Sequence, residues 1–428
     1  MGPKPGSRVF FGWWIVGVAL LANLITTGTH FYVFNVFMDP LCDARGWTRE
    51  QINLGLAVGG IVGLFSQLIH GTVVMRTGPR VYMGLGAVIS GFTFMAMGRV
   101  TDIYAFSALY VLLFFSNGAF SGIVASSAVN SWFVKKRGRA LGIATMGISL
   151  AGMVLPPVAR ALNDSLGLEQ AFFWLGVMLL ATAPLSWIVI RNQPEEYGLY
   201  PDGLDEPPEE EHEIPLGGLM ANPAAVSSKA PVAWPVAKLV KSSAFWMVGF
   251  SFAMAMAGVV GVMSQMTPRF MDLGFDKNTA VGLLAAAALC GAAGKFCWGA
   301  LCDVFEARRV ACVMMVVNAA GIAIGLFAGS LGLPGAVAFA LVYGFGMGGV
   351  LATLPVLVAD MFGRLAFTSV LRFMALFLIL QNAGFYIMGK STALTGSYDT
   401  AYAVFLVLNA VGAVMVALAR RPMPEKAG

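Results

Sequence analysis

Within the stretch Val281–Leu301, VGLLAAAALCGAAGKFCWGAL, one residue carries charge, Lys295; every other Lys or Arg lies at the end of an apolar run or in a link between two. An ammonium in hydrocarbon costs roughly 2.5–3.5 kcal/mol on insertion scales, and such groups mark substrate and proton pathways. The competing reading is snorkelling: Lys295 lies about 9 Å of helical rise from Leu301, within reach of a lysine stem bound for the interface. His30 is a second titratable group at depth, in a run that also holds Asn23, Thr26, Thr27, Thr29 and Tyr32. An imidazole, with its ordinary pKa near 6.5, suits proton carriage or hydrogen bonding to a substrate; the alternative is a histidine bonded to a neighbouring helix. Asn117 and Ser121 stand one helical turn apart and share a face, either lining a cavity or joining helices. Tyr343 and Gln381 are weaker candidates of the same kind, and His70, nearer a span end, reads as structural.

No catalytic constellation accompanies these residues. The sequence has no Gly-rich phosphate loop, no metal-ligand spacing and no nucleophile–base–acid set, and the stretch around Ser149 lacks the strand–turn–helix context of a nucleophile elbow. The five cysteines (Cys42, Cys290, Cys297, Cys302, Cys312) show no ligand spacing and read as small packing residues. Neither an enzyme nor an ATP-driven machine is expected, and no metal or cofactor.

The elements that must position Lys295 and His30 are membrane helices. The chain of 428 residues is 58% hydrophobic and only 11% charged, against about 25% charged residues in a soluble domain. Twelve runs reach the roughly 20 residues that span hydrocarbon as helix: 11–38, 51–74, 81–99, 103–132, 139–162, 169–191, 242–268, 278–301, 309–330, 334–361, 365–389 and 398–419. The first run lacks a small-residue cleavage site and is expected to stay in the protein. Residues 192–241, rich in Pro and acids, cannot span and read as a solvated cytoplasmic linker. The expected organisation is therefore an N-terminal six-helix bundle (1–191), that linker, and a C-terminal six-helix bundle with a short tail (242–428).

The net charge of +5 raises nucleic acid as a partner, but the basic residues sit in short links between spans and read as topology signals instead. With both termini inside, the inner links and tails hold 19 of the 27 Lys and Arg residues and the outer links seven, with Lys295 the remaining one. The two halves echo each other: GTVVMRTGPR from Gly71 follows the second run and GALCDVFEARR from Gly299 the eighth. Gly138 and Gly363 each border an arginine and are expected to begin the next helix.

On these motifs the chain resembles the major facilitator superfamily, over essentially its whole length. Gly71, Arg76, Gly78 and Arg80 match the family loop pattern G-x-x-x-D-R-x-G-x-R, with Met75 in place of the Asp; the second copy keeps Gly299, Asp303, Arg308 and Arg309. The stretch from Phe133 to Gly147, FVKKRGRALGIATMG, is similar to a signature of monocarboxylate transporters, F-x-K-R-R-x-x-A-x-G-x-A-x-x-G. A second signature is only echoed by Phe11-Gly12-Trp13-Trp14, without its acid, and the link Gly46-Trp47-Thr48-Arg49-Glu50 is similar to one common in that group. In monocarboxylate transporters and oxalate/formate exchangers the eighth helix carries an arginine shortly before the W/M-G of the second loop; the spacing K-F-C-W-G puts Lys295 at that place.

The resemblance implies an all-α membrane protein, twelve helices in two pseudo-symmetric six-helix halves, that moves small monocarboxylates such as lactate or pyruvate by alternating access. Lys295 would bind the anion, assisted by His30, Asn117, Ser121, Tyr343 and Gln381, and the coupling proton would reside on Lys295 or His30. Gly291 stands where many such transporters carry an Asp one turn before the cation, and the middle of the eleventh run, Ala375 to Leu380, carries no second cation. One cation favours a singly charged anion. The loop residues would act as a latch between helix ends, the alternative being a topology signal alone. A functional monomer in the plasma (inner) membrane with H⁺ as co-substrate is expected. An oxalate/formate-type exchanger is the alternative, and a non-transporting anion sensor a further one.

Overall fold

A computed structural model of the chain describes residues 10–204 and 235–421. No β-strand occurs among the described residues. The physical reason is that a peptide group in hydrocarbon has no water to bond to, so a spanning segment satisfies its N–H and C=O groups within itself. Among the described residues eleven helices are long and apolar enough to cross a membrane, and the bent helix Arg49–Thr77 makes twelve.

We number these α1 (12–45, comprising Gly12–Thr27, Gly28–Tyr32 and Val33–Arg45), α2 (Arg49–Thr77), α3 (Pro79–Met97), α4 (Ile103–Trp132), α5 (Arg137–Leu166) and α6 (Leu168–Val189). After the link come α7 (Ser243–Asp272), α8 (Lys277–Cys302), α9 (Ala307–Leu326), α10 (Ala328–Phe362), α11 (Phe367–Thr395) and α12 (Asp399–Leu418). Each corresponds to one of the twelve apolar runs. Of the link expected at 192–241, residues 205–234 lie outside the described residues; its described ends hold two short 3₁₀ turns and the helix Val236–Lys241.

Helix starts are set by local chemistry. Thr48 and Gln51 form a capping box at α2, the Gln51 amide donating to Thr48 Oγ1 at 3.2 Å and the Thr48 amide to Gln51 Oε1 at 2.9 Å. Asp102 accepts the Ala105 amide at the start of α4. Asp276 caps α8, and the hydroxyl and amide of Thr279 hold its carboxyl below the usual carboxylate range. Gly363 does not begin α11 as its echo of Gly138 suggested; it closes α10 in the left-handed region, φ +85°, where only glycine sits without strain.

The contacts divide the chain into two compact units. Unit 1 gathers α1 to α4, α5 from Ile143 onward, α6, and residues Arg364–Arg372 at the start of α11. Unit 2 gathers Lys135–Gly142, α7 to α10, α11 from Phe373, and α12. Aromatic rings fill both interiors: in unit 1 Phe34 packs edge-on to Tyr110 at 4.8 Å and Phe94 against Phe172 at 5.0 Å, and in unit 2 Phe339 stacks on Tyr343 at 5.2 Å.

Among the described residues, and besides the bend of α2, helix regularity fails within four spans. A π-turn, Gly28–Tyr32, interrupts α1. The fourth span breaks into Ile103–Phe120 and Gly122–Trp132, with Ser121 extended (φ −131°, ψ −167°) and Gly122 at φ +54°. In α10 the backbone turns over at Gly332, and in α11 a 3₁₀ stretch covers Leu378–Asn382.

In unit 2 the helix bearing Lys295 is held by glycine contacts. A Cβ on Gly344 would lie 2.4 Å from the Ala287 carbonyl oxygen, one on Gly348 2.2 Å from that of Gly291, and one on Gly294 2.4 Å from that of Phe345. Backbones of α8 and α10 therefore touch through a small-xxx-small pattern, as close packing in lipid requires. Forcing a side chain into such a contact costs about 1–3 kcal/mol. We expect Gly348→Leu to lower the melting temperature of the detergent-purified protein measurably, whereas Gly282→Ala, on the same helix as Lys295 but with nothing within 4 Å of its Cβ position, leaves it unchanged.

Candidate functional site

Lys295 is buried, 6% exposed, and is the one lysine so placed among the described residues. It follows the glycine seam on α8, one turn after Gly291. Inside unit 2 the start of α5 packs directly on this position: a Cβ on Gly142 would lie 2.6 Å from the Lys295 carbonyl oxygen, and one on Gly138 1.9 Å from that of Gly299. Gly138 and Gly142 stand four residues apart within FVKKRGRALGIATMG, so that stretch is built to meet the lysine-bearing turn of α8 backbone to backbone. Trp298 closes the other side, its Nε1 donating to the Phe345 carbonyl at 2.9 Å.

In unit 1 the sequence candidates on α1 and α4 come together. Tyr110, Phe114 and Asn117 recur at helical spacing on α4 and face the π-turn of α1. The Tyr110 hydroxyl donates to the His30 carbonyl oxygen, the Phe114 ring lies 4.5 Å from the imidazole, and Asn117 Nδ2 lies 3.4 Å from His30 Nδ1. Tyr110 thus bonds a carbonyl of the π-turn, and such bulges recur at functional sites. Ser121 sits at the break of α4, its hydroxyl proton donated to the Asn117 carbonyl at 2.8 Å.

The other candidates are placed differently. Tyr343 is wholly buried in unit 2, its hydroxyl donating to the Gly258 carbonyl at 3.2 Å. Gln381 is half-buried on the 3₁₀ stretch of α11. His70 is fully buried in unit 1, with Nδ1 2.8 Å from the Tyr82 hydroxyl.

The two loop copies use their residues in different ways. In the first, Gly71 leaves room for Arg372, whose Cβ would otherwise meet a Gly71 side chain at 2.6 Å, and Gly78 turns at φ +74°. Arg80 donates to the Trp187 carbonyl at 3.0 Å, Arg76 is exposed, and Met75 offers no carboxylate. In the second, Asp303 accepts the Gly138 amide at 2.5 Å and the Arg139 amide at 3.0 Å, with Arg139 Nε 3.3 Å away. Asp303 thus caps the first turn of α5 from another helix, where the helix dipole favours an anion. Arg308 and Arg309 both grip Glu306 at 3.0 Å, and Arg308 also donates to the Ala419 carbonyl.

Several basic residues counted in links by sequence lie inside helices, Arg269 and Arg372 among them. Arg269 belongs to the last turn of α7, 2% exposed, donating to the Gly325 carbonyl at 2.7 Å and to Asp399 at 3.0 Å, with its guanidinium 3.6 Å from the Tyr402 ring centroid. Arg372 lies within α11, its Nη1 donating to Thr72 Oγ1. Arg269 was misplaced because α7 runs on to Asp272, past the end of the run 242–268; Arg372 lies within the run 365–389 itself. At the start of α11, Arg364 donates to the Ser131 carbonyl at 3.0 Å and pairs with Glu195 at 2.6 Å.

The family model described as Major Facilitator Superfamily matches residues 9–369 of the chain. The chain belongs to that superfamily. The oxalate:formate antiporter of Oxalobacter formigenes is 23% identical over 384 residues, 89% of this chain and 82% of the antiporter. Monocarboxylate transporter 13 of Bos taurus is 22% identical over 348 residues, covering 79% and 72% of the two chains. Among solved structures, that of the superfamily transporter FucP matches with a TM-score of 0.71 at 13% identity, over 96% of this chain and all of that one, a likeness of fold. This superfamily member is a multi-pass membrane transporter rather than an enzyme.

In this transporter the Asp303 cap is a measurable joint. Removing such a cap costs about 0.5–2 kcal/mol. Asp303→Ala is expected to lower the melting temperature and to speed amide exchange in residues 137–140, and Asp303→Asn, which keeps one of the two acceptor oxygens and loses the Arg139 pair, to fall between Asp303→Ala and wild type.

Proposed function

We propose that this chain is a secondary transporter of small monocarboxylate anions, coupled to protons and working by alternating access. In this reading the halves are 1–191 and 242–428, joined by the linker 192–241, and both termini face the cytoplasm of the cell whose plasma membrane holds the protein as a functional monomer. The charge bias of the links supports that orientation.

The observation that carries the reading is Lys295: a buried ammonium on a membrane helix, at the position where the resembling groups place an anion-binding arginine. A lysine is a point charge on a flexible stem, whereas arginine grips a carboxylate with a rigid two-pronged fork. In unit 1, His30 and Asn117 offer hydrogen bonds to a carboxylate or hydroxyl oxygen. Lys295 and His30 are the groups able to carry the coupled proton, since Gly291 occupies the place of the usual acid. The loop residues Gly71, Arg76, Gly78, Arg80, Gly299, Asp303, Arg308 and Arg309 form the latch that must loosen during the cycle.

A second reading, exchange of oxalate and formate-type anions, is favoured by one observation, the likeness to the Oxalobacter antiporter over most of both chains.

Uptake by proteoliposomes from a panel of mono- and dicarboxylates, with and without a pH gradient, separates the two. Accumulation of lactate or pyruvate driven by an acidic exterior is the expected result; uptake that requires internal oxalate or formate selects exchange. Removing one partner of a buried charge contact costs about 2–5 kcal/mol, so Lys295→Gln is expected to cut uptake at least about 30-fold. Wild-type rates in Lys295→Gln vesicles would sink the assignment, and binding without counterflow would make the chain a sensor.

A further inference from the structure

We propose that Asn23 is a positioning residue of the transport site, an amide clamp from α1 that holds the break of α4 in place so that Asn117 stays against His30. The proposal rests on the reading of His30 and Asn117 as substrate-side groups.

The break creates a need. Gly122 opens the second segment of the fourth span, and its N–H has no intrahelical acceptor because Ser121 is extended. A buried amide at membrane depth left without a partner is costly. Ser121, the residue before it, caps none of the amides of that first turn: its hydroxyl donates to the Asn117 carbonyl instead. The acceptor comes from α1, where Asn23 Oδ1 receives the Gly122 N–H at 3.2 Å.

The other end of the same amide is also engaged. Asn23 Nδ2 donates to the Ala144 carbonyl of α5 at 2.9 Å, so one side chain, 3% exposed, ties three helices of unit 1. The contact is possible because α1 and α5 approach closely at Gly147, where a Cβ would lie 2.2 Å from the Leu20 carbonyl oxygen and 3.0 Å from the Leu24 nitrogen. Leu20 and Leu24 flank Asn23. Its two bonds fix the amide orientation, since the oxygen faces a donor and the nitrogen an acceptor.

Only an amide of this length does both jobs. Aspartate would keep the acceptor for Gly122 but offer no hydrogen to Ala144, and leucine keeps neither. Asn23 lies seven residues before His30 on α1, and Asn117 lies one turn before the break on α4. Thus α4 is pinned to α1 at two points, directly through His30 and Asn117, and through Asn23 at the break itself.

The test uses the purified full-length protein and two readouts. Amide exchange over residues 118–124 should quicken about tenfold in Asn23→Leu, the loss of one buried hydrogen bond, and less in Asn23→Asp. Counterflow in proteoliposomes with labelled oxalate, formate and lactate should show KM raised about tenfold in Asn23→Leu with a smaller change in Vmax. Asn409→Leu is the stability control: it removes the buried Asn318–Asn409 pair of unit 2, bonded at 3.0 Å, and should lower the melting temperature while leaving exchange at 118–124 and KM unchanged. Unchanged exchange in Asn23→Leu overturns the clamp. Quickened exchange with wild-type KM, or losses that follow melting temperature alike in all three variants, overturns its role in the site. Wild-type protein that moves none of the three anions counts against the transport reading, and the exchange measurement still decides whether Asn23 clamps the break.

Discussion

A peptide N–H in hydrocarbon can bond only to the protein, and this constraint organises the whole chain. It makes every span a helix, and it makes each departure from helix conspicuous, because the orphaned group must be met by a side chain or another backbone. Unit 1 has two such departures, and they meet. A carbonyl within the π-turn of α1 receives the Tyr110 hydroxyl, and the amide at the break of α4 goes to Asn23. Polar side chains gather at these places because the backbone demands them. Once present, they bring His30 and Asn117 within reach of each other. Structural necessity and chemical opportunity arise from the same two irregularities.

Glycine supplies the complementary constraint. Without a hydrophobic force between helices in lipid, close backbone approach carries the packing, and the stretch FVKKRGRALGIATMG shows how densely that is encoded. Gly138 and Gly142 meet α8 at Gly299 and Lys295 inside unit 2, and Gly147 meets α1 at Leu20 inside unit 1. A motif that in sequence reads as a family signature is, in space, a set of backbone contacts, with the Lys295 turn inside unit 2 and with the Asn23 turn inside unit 1. Its basic residues and its glycines have separate duties, which explains why the charges lie at one end and the small residues at regular spacing after it.

The spans were legible in sequence because twenty apolar residues in a row have one stable outcome. Lys295 was legible for the converse reason, a charge where none belongs, and His30 and Asn117 as polar groups at depth. What was hidden depended on tertiary distance. Nothing in Phe-Ser-Gly at 120–122 announces a break, since small residues are equally at home in an unbroken helix, and Asn23 gains meaning only when α4 and α5 are brought to it. Helix ends were hidden too. Hydropathy stops at the last apolar residue, while the hydrogen-bond ladder of α7 continues to Asp272 and carries Arg269 inward.

Arg269 and Arg372 show how a cation inside a helix is given a structural task. A count of buried cations is informative only after cations with a structural task are set aside. Arg269 has one: it is matched by Asp399, bonds the Gly325 carbonyl and lies over the Tyr402 ring, an arrangement in which removal of Asp399 would leave a buried charge without its counter-ion. Arg372 is inside α11, but it is tied to Thr72, five residues from the end of α2 and beside Gly71 of the first loop. That places it about 7.5 Å of helical rise from the helix terminus, with the loop residues. Its task is then to join α11 to α2 where Met75 supplies no carboxylate. Arg137 and Arg191 are buried as well, so burial by itself does not set a cation apart for the cargo.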